Sequence, residues 1–208
     1  MKQQQRKSAK TREQILGATV QCLIDIGFVG TTFDRVAQTS GQSRGAINYH
    51  FPSRDQLIRE TLLFIQQRRI EAYRLAMSAD RGLSGFERSI ELYWETFCDP
   101  LYVAYQELVA ESRTDRTLAS FLIPIHRDFE EEWDAVVLEA HPNWGNSLEI
   151  FRRTRAISTF LMDGMARERT IFGDDETWFR KIRKDLKAML RQMLAEDQAE
   201  PKTDLKSN

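Results

Sequence analysis

The chain predicts an all-α protein in which a small N-terminal three-helix domain, built around a helix-turn-helix, precedes a C-terminal helical bundle, about nine helices in all. Three observations carry this. Apolar residues recur at three- and four-residue spacing from Ile15 to Met193. No stretch alternates polar and apolar residues as a half-buried strand does, and there is no internal repeat. The run from Thr32 to Phe51, TFDRVAQTSGQSRGAINYHF, reads as two short helices joined by a tight turn. At 208 residues the chain is long enough to bury a substantial core, as one helical unit or as a small domain joined to a larger one.

The elements follow in order. Residues 1–10 are rich in Gln and Lys without periodicity and are expected to be disordered in the free protein. Thr11-x-x-Gln14 is a capping box opening helix 1, in which Ile15, Leu16, Thr19, Leu23 and Ile26 recur at helical spacing up to Gly27. Thr32 stands where an N-cap belongs, followed by the apolar face of helix 2, Phe33, Val36 and Ala37. Gly41 takes the turn, because a residue without Cβ adopts positive φ cheaply, and Ser43 caps helix 3 from Arg44. Helix 3 closes at Phe51, since the residue before Pro52 is pushed out of helical space. A second capping box, Ser53-x-x-Gln56, opens a long helix 4 to about Ala79 with no interior Pro or Gly.

Ser84-x-x-Glu87 is expected to cap helix 5, whose stripe of Phe86, Ile90, Trp94 and Phe97 ends at Pro100. Leu101, Tyr105, Leu108 and Ser112 mark helix 6. Leu118, Phe121, Leu122, Ile125, Phe129, Trp133, Val136 and Val137 mark helix 7, with a kink or a broken first turn expected at Pro124. The loop from His141 to Gly145 stops it. Helix 8 is read over about 148–169 and helix 9 over about 177–195, with Trp178, Ile182, Leu186, Met189 and Met193 on one face. From Glu196 on, the chain is polar and expected to fray. The expected domains are therefore 1–56, 57–195 and a polar tail, 196–208.

Charge is divided unevenly. Residues 1–56 hold eight Lys/Arg against four Asp/Glu, and the remainder holds 22 against 27. A basic end carrying a helix-turn-helix on an acidic body is the charge distribution of a nucleic-acid-binding protein with a regulatory part. Cys22 and Cys98 sit in helical apolar patterns without a CxxC or a His at ligand spacing, and read as reduced core residues. The basic start MKQQQRKSAK has no apolar run behind it, and no segment reaches the roughly 20 apolar residues of a spanning helix, so a cytoplasmic protein without membrane attachment is expected.

The second helix of such a motif lies in a DNA major groove, its first residues at base edges and later ones at phosphates. Arg44 can fork onto guanine O6 and N7, Gly45 and Ala46 allow close approach, and Ala46 suits a thymine methyl. Lys7, Lys10, Arg12 and Arg35 are candidates for phosphates or a minor-groove arm; as a charge run they read equally as solvated residues.

The stretch from Thr11 through Leu57, with Gly27-Phe28, Thr31-Thr32, Ala37, Gly41, Ser43-Arg44-Gly45-Ala46-Ile47, Tyr49-His50-Phe51 and Ser53-Arg54-Asp55-Gln56-Leu57, resembles the N-terminal domain of the TetR family of bacterial transcriptional regulators. The resemblance implies a homodimer on a near-palindromic double-stranded DNA operator. It places Tyr49 in the groove and Asn48 and His50 at phosphates. It also implies a dimer interface on helices 8 and 9, where Gly164, Ile182, Leu186, Met189 and Met193 are the candidates. Further, it implies a small-molecule effector, apolar or aromatic, bound between helices 4 to 7. For that site Phe64, Arg68, Trp94, Phe97, Tyr105, Phe121, Ile125 and Phe129 are the candidates, and ordinary core packing is the alternative for each aromatic. Arg68 suits a ligand carboxylate, unless it is a surface arginine.

Other chemistry has little support. His126 and Glu130 lie four apart, with His141 further on, but a zinc site wants three or four converging ligands. No Gly-rich phosphate loop, GxSxG elbow or paired-carboxylate signature occurs, so neither an enzyme nor a cofactor is expected. The reading is a ligand-responsive, sequence-specific transcriptional regulator, a repressor by preference. Two rivals stand beside it: a DNA-binding protein whose body binds another protein, and a helical enzyme or carrier that keeps the motif only as scaffold.

Overall fold

A computed structural model describes residues 2–79, 85–141, 147–173 and 175–199. Among these the chain is all helical: α1 Lys2–Gly30, α2 Phe33–Ser40, α3 Arg44–His50, α4 Arg54–Ala79, α5 Gly85–Cys98, α6 Pro100–Ser112, α7 Arg116–Ala140, α8 Leu148–Phe172 and α9 Glu176–Ala199. Two compact units form. One combines the chain up to Leu75 with Asp99–Ala135, and the other combines Ala76–Cys98 with the chain from Val136 onward. The first unit takes in most of α4 and α7 and all of α6.

In the first unit, α1 to α4 each contribute to one core. Ile15, Leu16, Ala18 and Cys22 meet Val36, Ile47, Phe51 and Leu57, with Phe33, Ala37 and Phe64 packed alongside. Ile47 and Phe51 are fully enclosed, which stabilises the unit by about 1.5–3 kcal/mol each. The expected caps are present: Thr32 Oγ1 accepts from the Arg35 amide, Ser43 Oγ from Ala46 and Ser53 Oγ from Gln56. Gly41 closes α2 at φ 67°, in the left-handed region that favours glycine.

Both termini differ from expectation. Residues 2–10 continue α1 as helix, so Thr11 lies inside it and caps nothing. Once Ile15 and Leu16 anchor the helix, each added Gln, Lys, Arg or Ala gains a hydrogen bond without a new nucleation cost. By the same reasoning α9 runs on to Ala199 instead of fraying from Glu196. Helix 1 does break where expected, at Gly27 (φ 70°, ψ 179°), and a helical stub carries on to Gly30.

Two prolines behave as starters or passengers. Pro100 occupies the first turn of α6, where its missing amide costs nothing, and Asp99 Oδ1 accepts from the Leu101 amide at 2.7 Å. Pro124 does not break α7: it is exposed, and buried Leu118, Leu122, Ile125 and Phe129 hold the helix on both sides of it. The Ser84 cap and most of the loop after His141 lie outside the described residues.

In the second unit α5, α8 and α9 pack together. Trp94 packs against Phe179 with tilted rings, and Arg183, 3% exposed, lies 5.1 Å from the Trp94 ring while donating to Glu91. Burial disfavours charge on Glu91, but hydrogen bonds and proximity to Lys187 and Arg183 prevail and hold its carboxyl below the usual range. Ser89 donates to the Gly85 carbonyl at 2.7 Å and also meets His141 Nε2; burial depresses the imidazole's pKa.

Candidate nucleic-acid interface

The short helix α3 divides its residues cleanly. Ile47 points into the core, with Phe51 beyond the helix end, while Arg44, Gly45, Asn48 and Tyr49 face solvent and Ala46 and His50 are half-buried. Tyr49 is 81% exposed, its ring edge-on to His50 at 5.2 Å between centroids, so it is not core packing. Gly45 is open: a Cβ there would meet only Ser43 Oγ, at 3.8 Å. Glycine inside a helix costs about 1 kcal/mol relative to alanine, and nothing within the fold offsets it. Thr32 and Ser43 are exposed at the two helix starts. Lys10 is exposed on α1, in a helix where a loose arm was expected.

Not every basic candidate is available. Arg12 pairs with Glu60 and lies 5.4 Å from the Phe51 ring, which makes it part of the α1–α4 packing. Arg44 Nη1 donates to both carboxylate oxygens of Asp34, at 2.7 and 2.9 Å.

A polar joint ties the break in α1 to its neighbours. Glu107 Oε1, on α6, accepts from the Phe28 amide at 2.8 Å. Arg54 donates to the Thr31 and Phe28 carbonyls and stacks on the Phe28 ring at 4.1 Å. The end of α1, the start of α4 and the middle of α6 are therefore held at one point.

The candidate ligand residues fall in both units. Phe64 packs against the N-terminal core, and exposed Arg68 pairs with Glu13 and lies over Phe64, 5.2 Å from its ring. Trp94 and Phe97 belong to the second unit, against Phe179 and Tyr93. Tyr105 and Phe129 do come together with His126, and Ile125 is buried on the same helix with Phe121 half-buried nearby. The residue that sequence reasoning passed over is Arg69. It is 4% exposed, 4.9, 5.3 and 4.9 Å from the rings of Tyr102, Tyr105 and Phe129. Its signal was legible, because Ile58, Leu62, Ile65, Arg69 and Tyr73 form one helical stripe with a cation inside it.

On α8 and α9, Leu186 is 2% exposed and belongs to the core with Phe179 and Leu190. Phe160 (75% exposed), Trp178 (57%) and Met189 are outward apolar residues, as are Leu148 and Ile171 on α8, with Met193 and Ile182 half-buried. Phe160, Leu161, Gly164, Met165, Trp178 and Ile182 line a groove of about 480 Å³. Gly164 is exposed with nothing near its missing Cβ.

Among the described residues no group of three or more His, Cys, Asp or Glu is placed to hold a metal, and no helix is long and apolar enough to cross a membrane. His126 Nδ1 meets the Tyr105 hydroxyl at 3.0 Å.

Residues 15–61 match the sequence profile described as bacterial regulatory proteins, tetR family. Over 82 residues the chain is 33% identical to the HTH-type transcriptional repressor AcnR of Corynebacterium jeikeium; the match covers 39% of this chain and 41% of that protein's length. The fold resembles a TetR family transcription regulator from Marinobacter aquaeolei, with a TM-score of 0.65 at 17% identity over 92% of this chain and 97% of the other. It also resembles the multidrug binding protein EbrR, solved with imidazole, with a TM-score of 0.55 at 21% identity over 84% and 93% of the two chains. Residues 15–61 thus carry the helix-turn-helix of bacterial regulatory proteins of the tetR family, and the helical bundle resembles such regulators in fold.

Proposed function

We propose that the protein is a sequence-specific DNA-binding transcriptional repressor that acts as a homodimer and is released from its operator by a small effector. In this reading residues 1–56 form the DNA-binding domain, and residues 57–195 bind the effector and dimerise. The observation that carries it is the outward face of α3: an 81% exposed tyrosine, an arginine held only by another surface side chain, and a glycine the fold does not need. Each is a cost or an indifference to the free protein and an asset in a major groove. The outward apolar residues of α8 and α9 support the two-fold dimer, which sets two α3 helices on two half-sites of a near-palindrome. The aromatic cluster of α4, α6 and α7 supports an effector site, and the Glu107 joint offers a route from it to α1. EbrR, a similarly folded protein, is described as binding drugs.

The test is selection of genomic fragments by the purified protein, followed by footprinting and a salt titration. A protected two-fold site is expected, with affinity falling steeply as salt rises. A log–log slope near zero, or protection with no dyad, would count against the reading.

A further inference from the structure

We infer that the cluster around Arg69 and Gln66 is a recognition site for a carboxylate on an aromatic or similarly planar ligand. The inference rests on the effector reading above and names the chemistry of that site.

Both residues lie on α4, where three positions place them on adjoining turns, and both are buried, at 4% exposure. Arg69 Nη1 donates to Gln66 Oε1 at 3.0 Å. This bond decides which way the amide faces, because a guanidinium has only donors to offer. The Gln66 amide nitrogen is therefore the end directed away, and it is buried with no acceptor. A buried donor of this kind is costly until an acceptor arrives. Any acceptor that reaches it lies beside a buried cation, so an anionic oxygen is favoured over a neutral one.

The walls specify the remainder of the ligand. Tyr102 and Tyr105 from α6 and Phe129 from α7 surround the guanidinium within about 5.3 Å, and Tyr73 of α4 and Trp133 of α7 meet with tilted rings, 4.7 Å between centroids. The Tyr105 hydroxyl and His126 supply one further polar pair in this wall. A flat apolar body suits these faces, and a carboxylate suits the donors. Arg68, the neighbour that sequence alone suggested for this role, points elsewhere and is occupied by Glu13.

Benzoate, phenylacetate and indole-3-acetate, each beside its carboxamide, are titrated into the full-length protein and followed by thermal shift and calorimetry. At least one acid is expected to bind tenfold or more tightly than its amide. Arg69→Lys keeps the charge but loses the planar fork, and Gln66→Leu removes the amide donor; each is expected to weaken the acid tenfold or more while circular dichroism stays that of the parent. Arg68→Met should bind the acid as the parent does. Equal binding of acids and amides, no binding of any acid, or loss in Arg68→Met with retention in Arg69→Lys overturns the site. DNA release is read separately: an acid that binds through Arg69 without weakening DNA leaves the site standing and removes the effector reading.

Discussion

Arg44 on α3 is held by Asp34 on α2, one guanidinium nitrogen between two carboxylate oxygens at 2.7 and 2.9 Å. Both side chains are mostly exposed, so the pair contributes no more than about 0–1 kcal/mol to stability and yields readily to a better partner. The free protein thus keeps its principal base-reading candidate ordered near the helix surface. Asp34→Asn should release Arg44 and remove a negative charge facing phosphates, raising DNA affinity severalfold at low salt. Arg44→Ala should cost about 1–3 kcal/mol of specific binding and relax one base-pair preference per half-site. Competition binding with single-base operator variants measures both; unchanged preference in Arg44→Ala would falsify its assigned role.

Gly45 and Tyr49 should separate stability from binding. With no neighbour to meet its new methyl, Gly45→Ala should stabilise the protein by up to about 1 kcal/mol while weakening DNA binding. Tyr49→Ala should leave the denaturation midpoint nearly unchanged, within about 0.5 kcal/mol, and reduce DNA affinity. Urea titration and fluorescence anisotropy on the same samples check this. A large stability loss in Tyr49→Ala would mean the ring packs inward.

The outward residues of α8 and α9 should control assembly. Phe160→Asp and Trp178→Asp should yield folded monomers by sedimentation and abolish two-fold DNA protection, because their side chains are exposed in a single chain. Leu186→Asp should instead unfold the second unit, since it places a charge in a core position. A persistent dimer with both Phe160 and Trp178 changed would move the interface to another surface.

Glu107→Ala should leave the Phe28 amide without its acceptor, at a cost of about 1–3 kcal/mol. Faster hydrogen exchange at Phe28 than in the parent is the expected signature. Parent-like protection there would show that the joint is not what orders the end of α1.

His141 sets an acid limit. Burial lowers its folded-state pKa below the ordinary 6.5, so the neutral ring is favoured in the folded protein. Its contribution is present above about 6.5 and is lost as pH falls below that value, where the unfolded chain takes up a proton more readily than the folded one. Glu91 adds a second decline at lower pH, because its folded pKa is also depressed. Stability measured between pH 7 and 5 should fall in the parent and fall less in His141→Gln.

What the sequence determined by itself is what depends on near neighbours. The caps at Thr32, Ser43 and Ser53, the left-handed turn at Gly41 and the break at Gly27 follow from backbone sterics and hydrogen bonds within a few residues. The inward set of the helix-turn-helix follows from a 3.6-residue period. Tertiary structure decided the rest, because direction on a helix becomes burial only when another element covers it. Arg68 and Arg69 are adjacent in sequence, yet about 100° apart around α4. One meets Glu13 at the surface and the other is enclosed by Tyr102, Tyr105 and Phe129 from two distant helices. Leu186 and Met189 likewise share an apolar stripe, and only the packing of α5 and α8 against α9 made one core and left the other in solvent.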